Sequence, residues 1–184
     1  GAFRGCSSLA SVELPDTVTS VGSYAFARCT SLPAALEVPA GVTSVGDSAY
    51  EDCAQATSLS LPPTLSSVGT SAFARCSSLA SVEVPGSVGT LGAHSFDGCT
   101  SLASVRLSEG VRRLGALAFA GCSSLASVEL PASLESTEGE APWGAGPFEG
   151  SGLASARLAP GSTRVAAGAF RGCSSLASVE LPDT

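Results

Sequence analysis

Seven cysteines stand at positions 6, 29, 53, 76, 99, 122 and 173, with successive gaps of 23, 24, 23, 23, 23 and 51 residues. Cysteine offers disulfide formation, metal ligation and nucleophilic or redox chemistry. The spacing argues against all three. No CxxC pair occurs, and a single histidine, His94, cannot complete a Cys/His zinc set. On stacked strands in register, neighbouring Cβ atoms would lie about 4.8 Å apart, whereas disulfides prefer about 3.8 Å. Free cysteine packs as a small hydrophobe and is among the most buried residue types. The column therefore reads as buried, reduced, structural thiols.

Serine is plentiful, but a Ser-His-Asp triad would have to depend on His94. His94 shares its column with Tyr24, Ser48, Ser71 and Leu117, a variable position expected to be exposed. No base, nucleophile and orienting group converge there. Neither a P-loop nor a GxGxxG run occurs. The sequence thus reads as non-enzymatic, and it assigns no catalytic, metal-binding or cofactor-binding residue.

Composition narrows the partners. Of 184 residues, 44% are hydrophobic and 14% charged, which excludes a disordered acidic tail. All nine basic residues are Arg, against 16 acidic ones, for a net charge of -7. A basic footprint for nucleic acid is missing. Apolar runs never approach the roughly 18 residues of a membrane span, so no membrane insertion is expected in this segment. No signal or transit peptide is visible at Gly1-Ala2-Phe3, and a Met-less chain starting at Gly reads as a piece of a longer one.

What positions all these residues is a repeat. The unit A-F-x-x-C-x-S-L-x-S-V-x-L-P-x-x-V-x-x-V-G recurs about eight times over 1–184, with its aromatic at Phe3, Phe26, Tyr50, Phe73, Phe96, Phe119, Phe148 and Phe170. Residues 1–17 reappear letter for letter as 168–184, which predicts an array truncated at both ends and flanked by further repeats. In Leu9-Ala10-Ser11-Val12-Glu13-Leu14 the alternation predicts a short strand, which Pro15 closes. The Ala25-Phe26…Cys29 spacing predicts one short helical or 3₁₀ turn that buries ring and thiol. A single unit is too small to close a core, so neighbours must stack as a solenoid of parallel strands.

The unit resembles the BspA-like (treponemal-type) leucine-rich repeat, and AF-x-x-C-x-S-L-x-S-V-x-L-P with its following V-x-x-V-G carries the match. The resemblance implies a right-handed, mainly β solenoid whose parallel sheet lines the concave face. It also implies a secreted or cell-surface protein used in adhesion and protein recognition, with a protein ligand or an extracellular-matrix or cell-surface partner. The alternative is a spacer array without a ligand of its own.

Two features are candidates for contact. The fifth strand position reads Glu13, Glu37, Ser60, Glu83, Arg106, Glu129, Arg157, Glu180, so charge alternates from Glu83 onward. Opposite charges on neighbouring strands stabilise a sheet by about 0.2–1 kcal/mol, which makes the column a register-setting ladder or a strip that orients a partner. Glu13 and Glu37 lack compensation and are placed to attract a basic ligand. The second candidate is the only tryptophan, Trp143, in an irregular insertion near 135–147 that also holds Glu135, Glu138 and Glu140. Trp143 is either a binding anchor or a cover for the irregular unit. The unit around residue 32 is one residue longer than the others and predicts a bulge.

Overall fold

A computed structural model describes residues 1–138 and 144–182. The chain is a solenoid of short strands in two parallel sheets, and no helix occurs among the described residues. The S-V-x-L motif forms a seven-stranded sheet from β2 (Ala35–Glu37), β4 (Ser58–Ser60), β6 (Ser81–Val84), β8 (Ser104–Leu107), β10 (Ser127–Leu130), β12 (Ser155–Leu158) and β13 (Ser178–Glu180). The V-x-x-V motif forms a six-stranded sheet from β1 (Ser20–Val21), β3 (Ser44–Val45), β5 (Ser67–Val68), β7 (Thr90–Leu91), β9 (Arg113–Gly115) and β11 (Ser136–Glu138). Each strand pairs with its counterpart one unit away, in the register the repeat dictates, as in Val82↔Val105 and Glu83↔Arg106.

The AF-x-x-C segment differs from the expected helical or 3₁₀ turn, for a reason visible in its amides. Ala25, Ala27 and Cys29 donate their N–H groups backward to Gly22, Tyr24 and Phe26, three residues away. The intervening Tyr24, Phe26 and Arg28 donate instead to Asp47, Ala49 and Glu51 of the next unit, at 2.7–2.9 Å. Half the amides close local turns and half hold the stack. The backbone achieves this by turning left-handed at Tyr24 (φ 57°) and Arg28 (φ 62°). Glycine meets that demand without strain at the equivalent Gly5, Gly98, Gly121, Gly150 and Gly172.

Stacking converts the apolar positions into continuous columns. Seven rings from Phe3 to Phe148 stack in sequence with centroids 5.2–5.4 Å apart and planes within 13° of parallel. Phe73, Phe96, Phe119 and Phe148 are fully buried. Offset ring pairs add about 0.5–1.5 kcal/mol each beyond the area they bury. One contiguous core runs along the array from Val21 to Ala169.

The columns also expose their own irregularities. Ser95 replaces the alanine of Ala25, Ala49, Ala72 and Ala118; it is fully buried, and its hydroxyl has no protein partner among the described residues. A buried hydroxyl left unpaired costs about 1–3 kcal/mol. Ser95→Ala is therefore expected to stabilise the fold by about 1 kcal/mol, read as a higher urea midpoint with an unchanged slope. Ser151, which stands in the cysteine column, leaves its hydroxyl unpartnered in the same way.

Beyond β11 the stack resumes in the described residues: Leu117 and Phe119 donate to the Gly146 and Pro147 carbonyls, and Phe148 rejoins the ring stack. Trp143 lies outside the described residues. At the other end, Leu9–Leu14 forms no strand, and no backbone bond joins it to β2. Pairing there would set Glu13 directly beside Glu37, two like charges on adjacent strands, which is destabilising. It would also meet the unit lengthened by one residue. That residue is taken up before Ala34, so the register Ala35↔Ser58 is preserved toward β4.

Candidate interaction surface

The thiol column is built into the structure rather than offered to a ligand. All seven cysteines are free, and those from Cys29 to Cys122 are buried. Each thiol of Cys29, Cys53, Cys76, Cys99 and Cys122 donates to the carbonyl of the aromatic residue one unit back, at 3.0–3.3 Å. Burial pushes these thiols above the ordinary cysteine range, Cys76 and Cys122 to about 12. A raised pKa suppresses the thiolate, the form that reacts and binds metal. No cluster of potential metal ligands occurs among the described residues.

His94 is half-buried rather than exposed, with Nδ1 3.0 Å from Asp97 Oδ2 in the same turn. That pair sits on the turn edge of the solenoid.

The Glu/Arg column is where the exposed charge lies in order. On the seven-stranded sheet, alternate side chains of each strand point into the core (Val82, Val105, Val128 and Ala156 are buried), which turns Glu83, Arg106, Glu129 and Arg157 outward. Register places Glu83 beside Arg106, Arg106 beside Glu129, Glu129 beside Arg157, and Arg157 beside Glu180. The ion contacts are selective: Arg106 reaches Glu83 at 3.6 Å and Arg157 reaches Glu180 at 4.0 Å. Glu129, between the two arginines, makes no ion pair within 4.0 Å among the described residues. With Arg106 and Glu180 both more than three-quarters exposed, such pairs contribute at most about 1 kcal/mol.

Three adjoining depressions follow this column. The first, about 580 Å³, lies between Arg106, Glu109 and Glu129; the second, about 250 Å³, between Glu129, Arg157 and Glu180; the third, about 510 Å³, between Arg157, Glu180 and Pro182. Shared residues make them one furrow along the sheet. Glu109 is a contributor that the repeat pattern did not single out. Its carboxylate accepts the Ala132 and Ser133 amides at 2.8 and 3.1 Å, fixing the loop that walls the first depression. Glu13 and Glu37 lie apart from the furrow, beyond Ser60.

The BspA type leucine-rich-repeat region matches in six copies, over residues 1–102, 33–143 and 143–184. The chain belongs to the BspA-type leucine-rich-repeat family. Among solved structures it is similar to the leucine-rich-repeat protein of T. pallidum, at 27% identity and TM-score 0.71, covering 94% of this chain and 79% of that one. The pneumococcal vaccine antigen PcpA shares its fold at 21% identity and TM-score 0.68, over 85% of this chain. A leucine-rich cell-surface protein from Faecalibacterium prausnitzii does so at 21% identity and TM-score 0.57, over the whole chain. This chain spans 40% of the length of the pneumococcal antigen. No curated protein sequence matches it. Within the BspA-type repeats, the leucine-rich label rests here on Leu, Val and Phe columns that are buried through the middle of the array and exposed toward its ends at Phe3, Val165, Val179 and Leu181.

Proposed function

We propose that this BspA-type array is a non-catalytic protein-interaction or cell-surface adhesion module that docks a partner on its acidic, charge-alternating sheet face. The observation that carries this reading is the furrow centred on Glu129, whose carboxylate is exposed and free of an ion pair within an otherwise paired ladder. A partner that offers a cation there gains an interaction that the protein has not already satisfied. The flanking Ser and Ala columns, such as Ser81, Ser104 and Ser127, keep the approach open to a flat or extended surface. Likeness to a leucine-rich cell-surface protein supports a surface location, where a protein or extracellular-matrix partner would be met.

The test is Glu129→Gln, which removes the unpaired carboxylate without setting like charges side by side. Glu129 makes no ion pair among the described residues, so circular dichroism and melting should stay close to wild type. Retention of immobilised extracellular-matrix or cell-surface proteins that wild type captures should fall at least threefold. Undiminished capture by the folded variant would count against this face and favour a spacer array.

A further inference from the structure

Where Leu9–Leu14 fails to join β2, the sheet opens into a second cleft of about 560 Å³. That volume falls in the range of ligand pockets, about 300–1,000 Å³. Its walls are apolar, from Val12, Leu14, Leu36, Val38 and Leu61, and its rim carries Asp16 and Glu37. The floor is Tyr50, the one tyrosine in a column otherwise made of phenylalanine. Tyr50 is 2% exposed, and its hydroxyl has no hydrogen-bond partner among the described residues. A polar group at the bottom of an apolar cleft, without a partner of its own, is poised for a ligand's acceptor.

Charge specifies that ligand further. Glu13 and Glu37 are exposed and make no ion pair among the described residues, and Asp16 adds a third carboxylate. Farther along the same column, the chain places Arg106 between Glu83 and Glu129. At Glu13 and Glu37 the corresponding cation is missing. The edge of β2 facing the cleft also lacks a paired neighbour, which suits an extended chain. We infer that this cleft binds an extended basic peptide segment of a partner protein: a large apolar side chain enters above Tyr50, whose hydroxyl donates to the peptide backbone, while an adjacent Arg or Lys meets the outward-facing Glu13 and Glu37. In an extended chain, successive side chains face opposite sides, which lets one segment fill the cleft and reach the outer carboxylates. The site is separate from the Glu129 furrow and does not depend on the reading given to it.

The experiment uses the fluorescein-labelled peptide Ser-Thr-Arg-Leu-Arg-Thr-Ser, capped at its C-terminus, titrated with the protein and read by anisotropy. Saturable binding is expected. Tyr50→Phe restores the column's usual residue, so it should leave the melting temperature unchanged while weakening binding at least threefold. Glu37→Arg should weaken it at least tenfold, and a peptide with Leu replaced by Ser should lose it. Glu129→Gln should bind the peptide as wild type does, which separates a failure here from a failure of the furrow. Absence of saturable binding would overturn the inference, as would equal affinity for Glu37→Arg or binding indifferent to the leucine. A protein dimer that the peptide does not dissolve would overturn it in favour of a second copy.

Discussion

Replacing Phe96 with alanine is expected to cost about 3–5 kcal/mol, the range for emptying a fully buried phenylalanine site. Phe96 is 0% exposed and stacks on Phe73 at 5.3 Å and Phe119 at 5.4 Å, so its removal strips two ring contacts and opens a cavity between units. In a compact globule other parts of the core would bridge the defect. Here each unit touches only its neighbours, and stability is close to a sum of unit and interface terms. The cavity should therefore uncouple the units before Phe96 from those after it. Urea unfolding should become biphasic, with hydrogen-exchange protection falling first around β6, β7 and β8. Phe96→Leu keeps most of the apolar volume and should cost distinctly less. A loss below about 1 kcal/mol in Phe96→Ala, with a single sharp transition, would contradict the continuous ring column.

The second large effect is alkaline lability. Thiols in an unfolded chain ionise near pH 8.5. In the folded chain burial holds Cys76 and Cys122 up to about 12 and raises Cys29, Cys53 and Cys99 as well. A group whose folded pKa is raised contributes stability in full below its unfolded pKa and loses it as pH climbs toward the folded value. Stability should thus be level from pH 6 to 8 and fall between about 9 and 12. Each buried thiol that remains protonated shifts the folding equilibrium about tenfold per pH unit in that window. Urea midpoints measured under reducing, anaerobic conditions at pH 7, 9 and 10.5 give the slope directly. Cys76→Ala should be less stable at pH 7 yet show a shallower fall, because one titrating group is gone. A midpoint that does not move up to pH 10.5 would refute the burial of the thiols.

Much of this was legible in the sequence, because a solenoid writes its tertiary structure as a period. The ring, thiol and strand columns followed from spacing alone, and so did the register that sets Glu83 beside Arg106. The turn did not. Its i→i+3 bonds resemble a 3₁₀ turn when one unit is read alone, but alternate amides leave for the next unit and require left-handed residues. A signal for this was present: Gly5, Gly98, Gly121, Gly150 and Gly172 share the column of Arg28, Asp52 and Arg75, and glycine marks that conformation. The opening beside β2 was less accessible. Glu13 and Glu37 showed an uncompensated column, but that their strands would part depended on competition between repulsion, an added residue and backbone pairing. Tyr50 enters the sequence pattern only as a member of the aromatic column, and its place at the floor of a cleft emerges from the fold.

That the reactive residues of this chain are structural columns, with contact left to the charged sheet face and the adjoining cleft, is tested most directly by counting thiols. Alkylation of the native, unreduced protein followed by peptide mass analysis should label Cys6 first and Cys173 next, while Cys29, Cys53, Cys76, Cys99 and Cys122 stay protected. Denaturation without reductant should then release all seven for labelling. Any disulfide surviving denaturation, or equal native labelling of all seven, would contradict the account.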